Sequence, residues 1–218
     1  GVDFDDTWRW SGTSWTQLTP TVSPLARFNH AMAFDLHRGV VVLFGGFTRT
    51  NPTVPLADTW EWNGSRWTQK TPASSPPGVH AHAMTYDPVR RRVVMFGGTA
   101  GTSTHQNATW EWDGTAWTLR TPASSPSPRS YHGMTWDVGR SCAVLYGGAG
   151  SVEFSDLWEW DGSTWTERLP EPGPVPSARR GMAFVYDSAR RQTVFFGGHI
   201  GTAHPADTWI LEPIAHAD

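Results

Sequence analysis

Residues 58–68 read DTWEWNGSRWT, three tryptophans in a stretch that ends each aromatic pair beside a turn-forming Asn-Gly. Such a cluster fits either an aromatic platform for sugar or one copy of a structural unit. The unit recurs as DTWRWSGTSWT (6–16), ATWEWDGTAWT (108–118) and DLWEWDGSTWT (156–166), with a shortened DTWILEP from Asp207. Its first tryptophans, Trp8, Trp60, Trp110, Trp158 and Trp209, are 52, 50, 48 and 51 residues apart. Thirteen of the fourteen tryptophans belong to this unit, and the last, Trp136, shares a column with Phe34 and Tyr86. A ligand platform has no reason to recur in every period beside a turn, whereas an aromatic wedged between stacked sheets does. The tryptophans are therefore read as core.

Two further elements keep the same period. Apolar runs ending in Gly-Gly occupy 41–46, 93–98, 143–148 and 193–198. Before them lie HAMAFD (30–35), HAMTYD (82–87), HGMTWD (132–137) and RGMAFVYD (180–187). Each period thus reads as four short strands, a to d: the His-Ala-Met segment, the Gly-Gly run, Trp-Glu-Trp and Trp-Thr. Asn-Gly and Asp-Gly at 63–64, 113–114 and 161–162 signal a tight c–d hairpin, because both residues tolerate positive φ. Aspartates after strand a open a second turn. Period-two alternation places Trp60 and Trp62 on one face of their strand and Glu61 on the other.

With Gly-Gly closing strand b, paired aromatics after it and a period near 50, the chain resembles the kelch repeats of β-propellers, in the style of bacterial members, over essentially its whole length. The spacing of Trp60 and Trp67 matches the kelch pattern, while Trp62 beside the turn departs from it. The resemblance implies an all-β fold, a β-propeller of four-stranded antiparallel kelch blades around a channel. It does not fix one function, since such propellers include interaction domains, a copper oxidase and a sugar mutarotase. Seventeen strands are expected, starting with c and d and ending with a, b and c. One domain over 1–218 with four blades follows: 25–70, 78–120, 129–168, and a shared blade from 1–18 plus 177–211. Two c-type strands, near Trp8 and Trp209, then compete for one place.

Composition narrows the partners. A net charge of −3 with 17% charged residues offers no polyanion-binding surface, so nucleic acid is not expected. No apolar run reaches the roughly 18 residues of a membrane helix, and no membrane partner is expected. No secretory leader opens the sequence; a soluble protein, cytoplasmic or secreted, is expected. Cys142 is the single cysteine, sits in strand b and reads as an inert core residue. Asn107-Ala108-Thr109 matches a glycosylation acceptor without evidence for secretion.

Candidate site residues come from the Pro- and Ser-rich d–a loops, the b–c loops and the start of strand a, which open on one face. His30, His82 and His132 start strand a in three repeats and could converge on a divalent ion such as zinc or copper; the alternative is a repeat-phased structural role. The fourth repeat is read with Arg180 in that column and two extra residues before Asp187. Residues that break the repeat are stronger evidence, because the fold does not ask for them: His80 two residues before His82, then Asn29, Tyr131 and Arg179, then Arg27 and Arg129 in two repeats. The b–c loops add His105, Glu153, His199 and His204. Together they describe a polar, anion-tolerant mouth. The reading is a binding module for a protein, glycan or small-molecule ligand, with no cofactor. Two alternatives stand beside it: a metal-assisted enzyme using His30, His82 and His132, and a fragment or scaffold that completes a larger or homo-oligomeric propeller.

Overall fold

The structure, a computed structural model, describes residues 2–49, 54–169 and 173–212; residues 170–172 of the fourth Pro-rich loop lie outside them. The chain opens with a hairpin of β1 (Thr7–Trp10) and β2 (Trp15–Leu18). The first four-stranded sheet orders β3 (Ala31–Asp35), β4 (Val40–Phe44), β5 (Thr59–Trp62) and β6 (Trp67–Lys70). After the two-residue β7 (Val79–His80), β8 (Ala83–Asp87) and β9 (Arg92–Phe96) begin the second. Two-residue strands β10 (Thr99–Ala100) and β11 (Thr104–His105) form a ribbon with β7, and β12 (Thr109–Trp112) and β13 (Trp117–Arg120) complete the sheet. The third sheet is β14 (Gly133–Asp137), β15 (Cys142–Tyr146), β16 (Leu157–Trp160) and β17 (Trp165–Arg168). The last has three strands, β18 (Ala183–Asp187), β19 (Gln192–Phe196) and β20 (Thr208–Leu211). All pairings are antiparallel, and no helix occurs among the described residues. The seventeen expected strands form; nothing in the repeat pattern signals the short ribbon.

Local chemistry explains the turns. Asp35, Asp87, Asp137 and Asp187 each accept the backbone N–H of the arginine three residues on. The next residue takes positive φ in every repeat, as Gly39, Arg91, Ser141 or Arg191. The c–d turn differs from the expected tight hairpin. Trp62 pairs directly with Trp67, so four residues make the loop. Only its glycine has positive φ, while Asn63 Oδ1 accepts the N–H groups of Ser65 and Arg66. The asparagine acts as a local hydrogen-bond acceptor rather than as a left-handed residue.

The sheets pack side by side through strand a: β3 on β8, β8 on β14, β14 on β18. Apolar clusters fill each gap, Val42 and Phe44 against Met84, Met95, Trp112 and Trp117 in the first, Val94 and Phe96 against Met134, Leu145, Trp160 and Trp165 in the second. Gly97 is required there, because a Cβ on it would lie 2.7 Å from the Arg129 carbonyl oxygen of the next sheet. The tryptophans also carry hydrogen bonds from sheet to sheet. Trp112 and Trp160 Nε1 donate to Glu61 and Glu111 of the preceding sheet, at 3.0 and 3.1 Å. Trp67, Trp117 and Trp165 donate to Thr7, Thr59 and Thr109. Burial and donor pairing together leave Trp112, Trp117, Trp160 and Trp165 no free face for a sugar.

The shared blade expected from 1–18 plus 177–211 is not paired in this way. Among the described residues β1 and β2 bond only to one another as strands, and β20 holds the place beside β19. β20 is anchored as β5 and β16 are, by Arg179 on Asp207 just before the strand and by the Trp209 indole N–H donating to the same carboxylate.

Candidate functional site

Arg27, Arg129 and Arg179 occupy one column, one residue pattern in three repeats, and all are buried. Each guanidinium binds both oxygens of an aspartate at the start of strand c, Asp58, Asp156 or Asp207, and also the carbonyl of the first Gly-Gly residue, Gly45, Gly147 or Gly197. The column's fourth member is Val79, and the matching carboxylate is Ala108. Cation and anion are lost together, as a buried pair demands. Burial would raise the Asp58 and Asp156 carboxyls, but the arginine bonds and charges outweigh it and hold both below the usual range. These arginines therefore hold the frame, tying the start of strand c to the Gly-Gly end of strand b.

The histidine column is also corrected. β18 has the same five-residue length as β3, β8 and β14, so there are no extra residues, and Met182 stands where His30, His82 and His132 stand in the other repeats. Arg180 falls in the column of Phe28, His80 and Ser130. His82 and His132 are buried wedges. Their rings meet Phe44 and Phe96 edge-on at 5.7 and 5.6 Å and press on Gly45 and Gly97 of the preceding sheet. His30 holds the equivalent place at the first sheet and lines a different cavity, beside β1. Each of the three thus belongs to its own sheet boundary, and no three His, Cys, Asp or Glu side chains gather for a metal ion among the described residues.

Neither His82 nor His132 makes a hydrogen bond of good geometry. Burial first, then neighbouring His30 and His80 for one and Arg129 and His82 for the other, lowers both to about 3; the backbones of Phe44 and Phe96 oppose this only weakly. An unfolded histidine titrates near 6.5. Between these values the unfolded chain binds more protons, so stability falls as pH falls from about 6.5 toward 3. The expected slope is up to roughly 1.4 kcal/mol per pH unit for each ring. Urea midpoints between pH 7 and 5 should show it, above the range where the paired aspartates titrate. Replacing both rings with glutamine should flatten the slope; an unchanged slope would assign it elsewhere.

The irregular residues fall into place on one face. Asn29, Ala81, Tyr131 and Gly181 form the column just before strand a, all with positive φ of 52, 55, 56 and 65°. Their backbones link in series, Ala81 N–H to Asn29, Tyr131 N–H to Ala81, and Gly181 N–H to Tyr131 carbonyl oxygen, each 2.8 Å. The Asn29 amide donates to the Tyr131 hydroxyl at 3.0 Å, spanning from the first sheet to the third. Beside Tyr131 lies a cup of about 420 Å³ lined by His105, Ser130, Tyr131, Arg180 and His199 with Ala149 and two glycines. Arg180 pairs with Glu153 at 3.0 Å, and Glu153 also accepts the Gly201 N–H. Ser130 Oγ lies 3.2 Å from His105 Nδ1. His204 packs on His199 at 4.4 Å, outside the lining.

Tyr131, Arg180 and His199 are thus brought together. His80 is not among them: its ring meets Phe47 edge-on at 5.0 Å, and burial, then His105, lowers its pKa. His105 and Ser130 complete the cup. His105 was visible only as a loop histidine, and Ser130 carried no signal, because its place depends on the register of the following strand. Cys142 lies buried in β15, its thiol pushed up to about 12 by burial and then by Glu159 and Asp137. No helix among the described residues is long and apolar enough to cross a membrane.

No curated protein gives a match to this sequence. The family model described as the KLHDC2/KLHL20/DRC7 Kelch-repeats domain matches residues 4–198. That span takes in the three four-stranded sheets, all four Gly-Gly ends, the inter-sheet tryptophans and the cup lining except His199, and the chain belongs to the kelch-repeat family.

Proposed function

We propose that this chain is a protein-interaction module, the general role of kelch-repeat domains, and that the cup around Tyr131 takes an acidic segment of the partner. The observation that carries this reading is Tyr131 itself. It is a bulky residue held at φ 56°, a conformation that costs an L-residue roughly 1–2 kcal/mol. Gly181 performs the same backbone task in the next sheet without that cost. Tyr131 is also 40% exposed, so core packing does not explain it.

The surrounding chemistry favours an acceptor-rich ligand. The Tyr131 oxygen already accepts from Asn29, which leaves its O–H to donate. Arg180 can exchange Glu153 for a ligand carboxylate, and the imidazoles of His105 and His199 add donors. Cups that combine a few convergent polar groups with a rigid frame are the usual form of a binding site.

The test is selection from a displayed peptide library, followed by affinity measurement on Tyr131→Gly and Arg180→Ala. Tyr131→Gly should change stability by no more than about 1 kcal/mol, since backbone relief offsets the added chain entropy. Both variants should weaken selected peptides at least tenfold, and those peptides should be rich in Asp and Glu. Selected peptides without acidic bias, or binding indifferent to both variants, would refute the assignment.

A further inference from the structure

Among the described residues the hairpin β1–β2 has two strands and the sheet β18–β19–β20 three, where the other sheets of the repeat have four, and the two sets are complementary. The hairpin has strands of type c and d; Trp8, Trp10 and Trp15 are exposed on it, where Trp112, Trp117, Trp160 and Trp165 are buried elsewhere. A cavity of about 450 Å³ lies between it and the β3–β6 sheet, at the place of strands a and b. Asp6 lies at the position of Asp58, Asp156 and Asp207, yet no cation pairs with it among the described residues. At the other end, β18 and β19 are of type a and b. Their outward residues Val185 and Phe196 are exposed, although the counterparts of Phe196, Phe44 and Phe96, are fully buried.

We propose that β18–β19 of a second copy enters this cavity and exchanges β20 for the hairpin β1–β2, building one complete blade from two chains. Three observations support a second copy of this chain as the occupant. The segment Asp6-Thr7-Trp8 repeats Asp207-Thr208-Trp209 residue for residue, so the β19 register is retained and Arg179 finds Asp6 as it finds Asp207. Trp10 takes the place of Leu211, where its indole meets Glu159; Glu61 and Glu111 accept such a bond, whereas no tryptophan donates to Glu159 among the described residues. The hairpin brings β2, the outer strand that each four-stranded sheet has and that the β18–β20 sheet does not have among the described residues.

The two halves do not meet within the chain. Among the described residues no hydrogen bond or ion pair joins the hairpin to β18–β20, and the hairpin is held instead against the neighbouring sheet by Trp67. Two copies, each giving three complete sheets and sharing two more, make a closed ring at the upper end of the usual range of four to eight blades.

Paired cysteines test this in the full chain. In the exchanged blade Arg9 stands opposite Val194, the place now held by Ile210. The Arg9→Cys, Val194→Cys variant should oxidise to a covalent dimer, and light scattering of the unmodified protein should show a concentration-dependent doubling of mass. The Val194→Cys, Ile210→Cys variant reads the unexchanged arrangement by an internal link, checks that the substitutions fold, and should abolish the mass doubling once oxidised. An internal Arg9–Val194 link would mean closure within one chain and overturn the proposal. So would a protein monomeric at every concentration.

Discussion

Replacing Arg129 with valine is expected to destabilise the fold by about 3 kcal/mol, the low end of the range for breaking a buried ion pair, because Asp156 keeps some solvent contact. The arginine is fully buried and holds both Asp156 oxygens, the Gly147 carbonyl and the Phe154 ring face, 4.1 Å from its guanidinium carbon. Its loss leaves the Gly147 carbonyl and the Asp156 carboxylate without the guanidinium, the carboxylate keeping only the Trp158 indole N–H among its side-chain donors. The second repeat shows how the position tolerates an apolar residue: Val79 is buried where the aspartate is Ala108. The double variant Arg129→Val, Asp156→Ala should therefore recover more than half of the loss in urea denaturation. If it unfolds as easily as the single variant, the cost lies in lost volume rather than in the stranded charge.

Trp160→Ala should cost about 3–5 kcal/mol, the range for deleting a large core aromatic. The ring is fully buried, lies 5.4 Å from Trp165 and donates to Glu111 of the preceding sheet. The same substitution at Trp10 should cost roughly 1 kcal/mol or less under dilute conditions, since this ring is half-exposed. One motif position thus yields two outcomes, decided by whether a sheet stands in front of it. Equal losses at both positions would contradict the packing, and a near-unchanged Trp160→Ala melting point would return the tryptophans to a ligand role.

Strand types, their order and most turns were legible in the sequence, since they rest on local chemistry repeated in every period. The alternation in Trp60-Glu61-Trp62, the aspartate before each a–b turn and the Gly-Gly ends mean the same thing wherever they occur. The c–d turn was legible in place but not in form: Asn63 and Asp161 serve through their side-chain oxygens. The site was harder. Arg27, Arg129 and Arg179 looked like irregular ligand residues, because their partners lie 27 to 31 residues further on. Arg180 and Met182 were assigned to the wrong columns because Arg-Gly-Met resembles His-Gly-Met until the five-residue strand fixes the register.

By itself the sequence determined an all-β chain of repeated four-stranded units with tryptophan in its core, because hydrophobic period, turn chemistry and repeat length are properties of neighbouring residues. Only the tertiary structure decided which polar residues are buried in the frame and which line the cup, and which of two equivalent strands sits beside β19. Those outcomes depend on pairing between segments far apart in the chain. A buried arginine and an exposed one are the same letter until a carboxylate from another strand is placed against one of them.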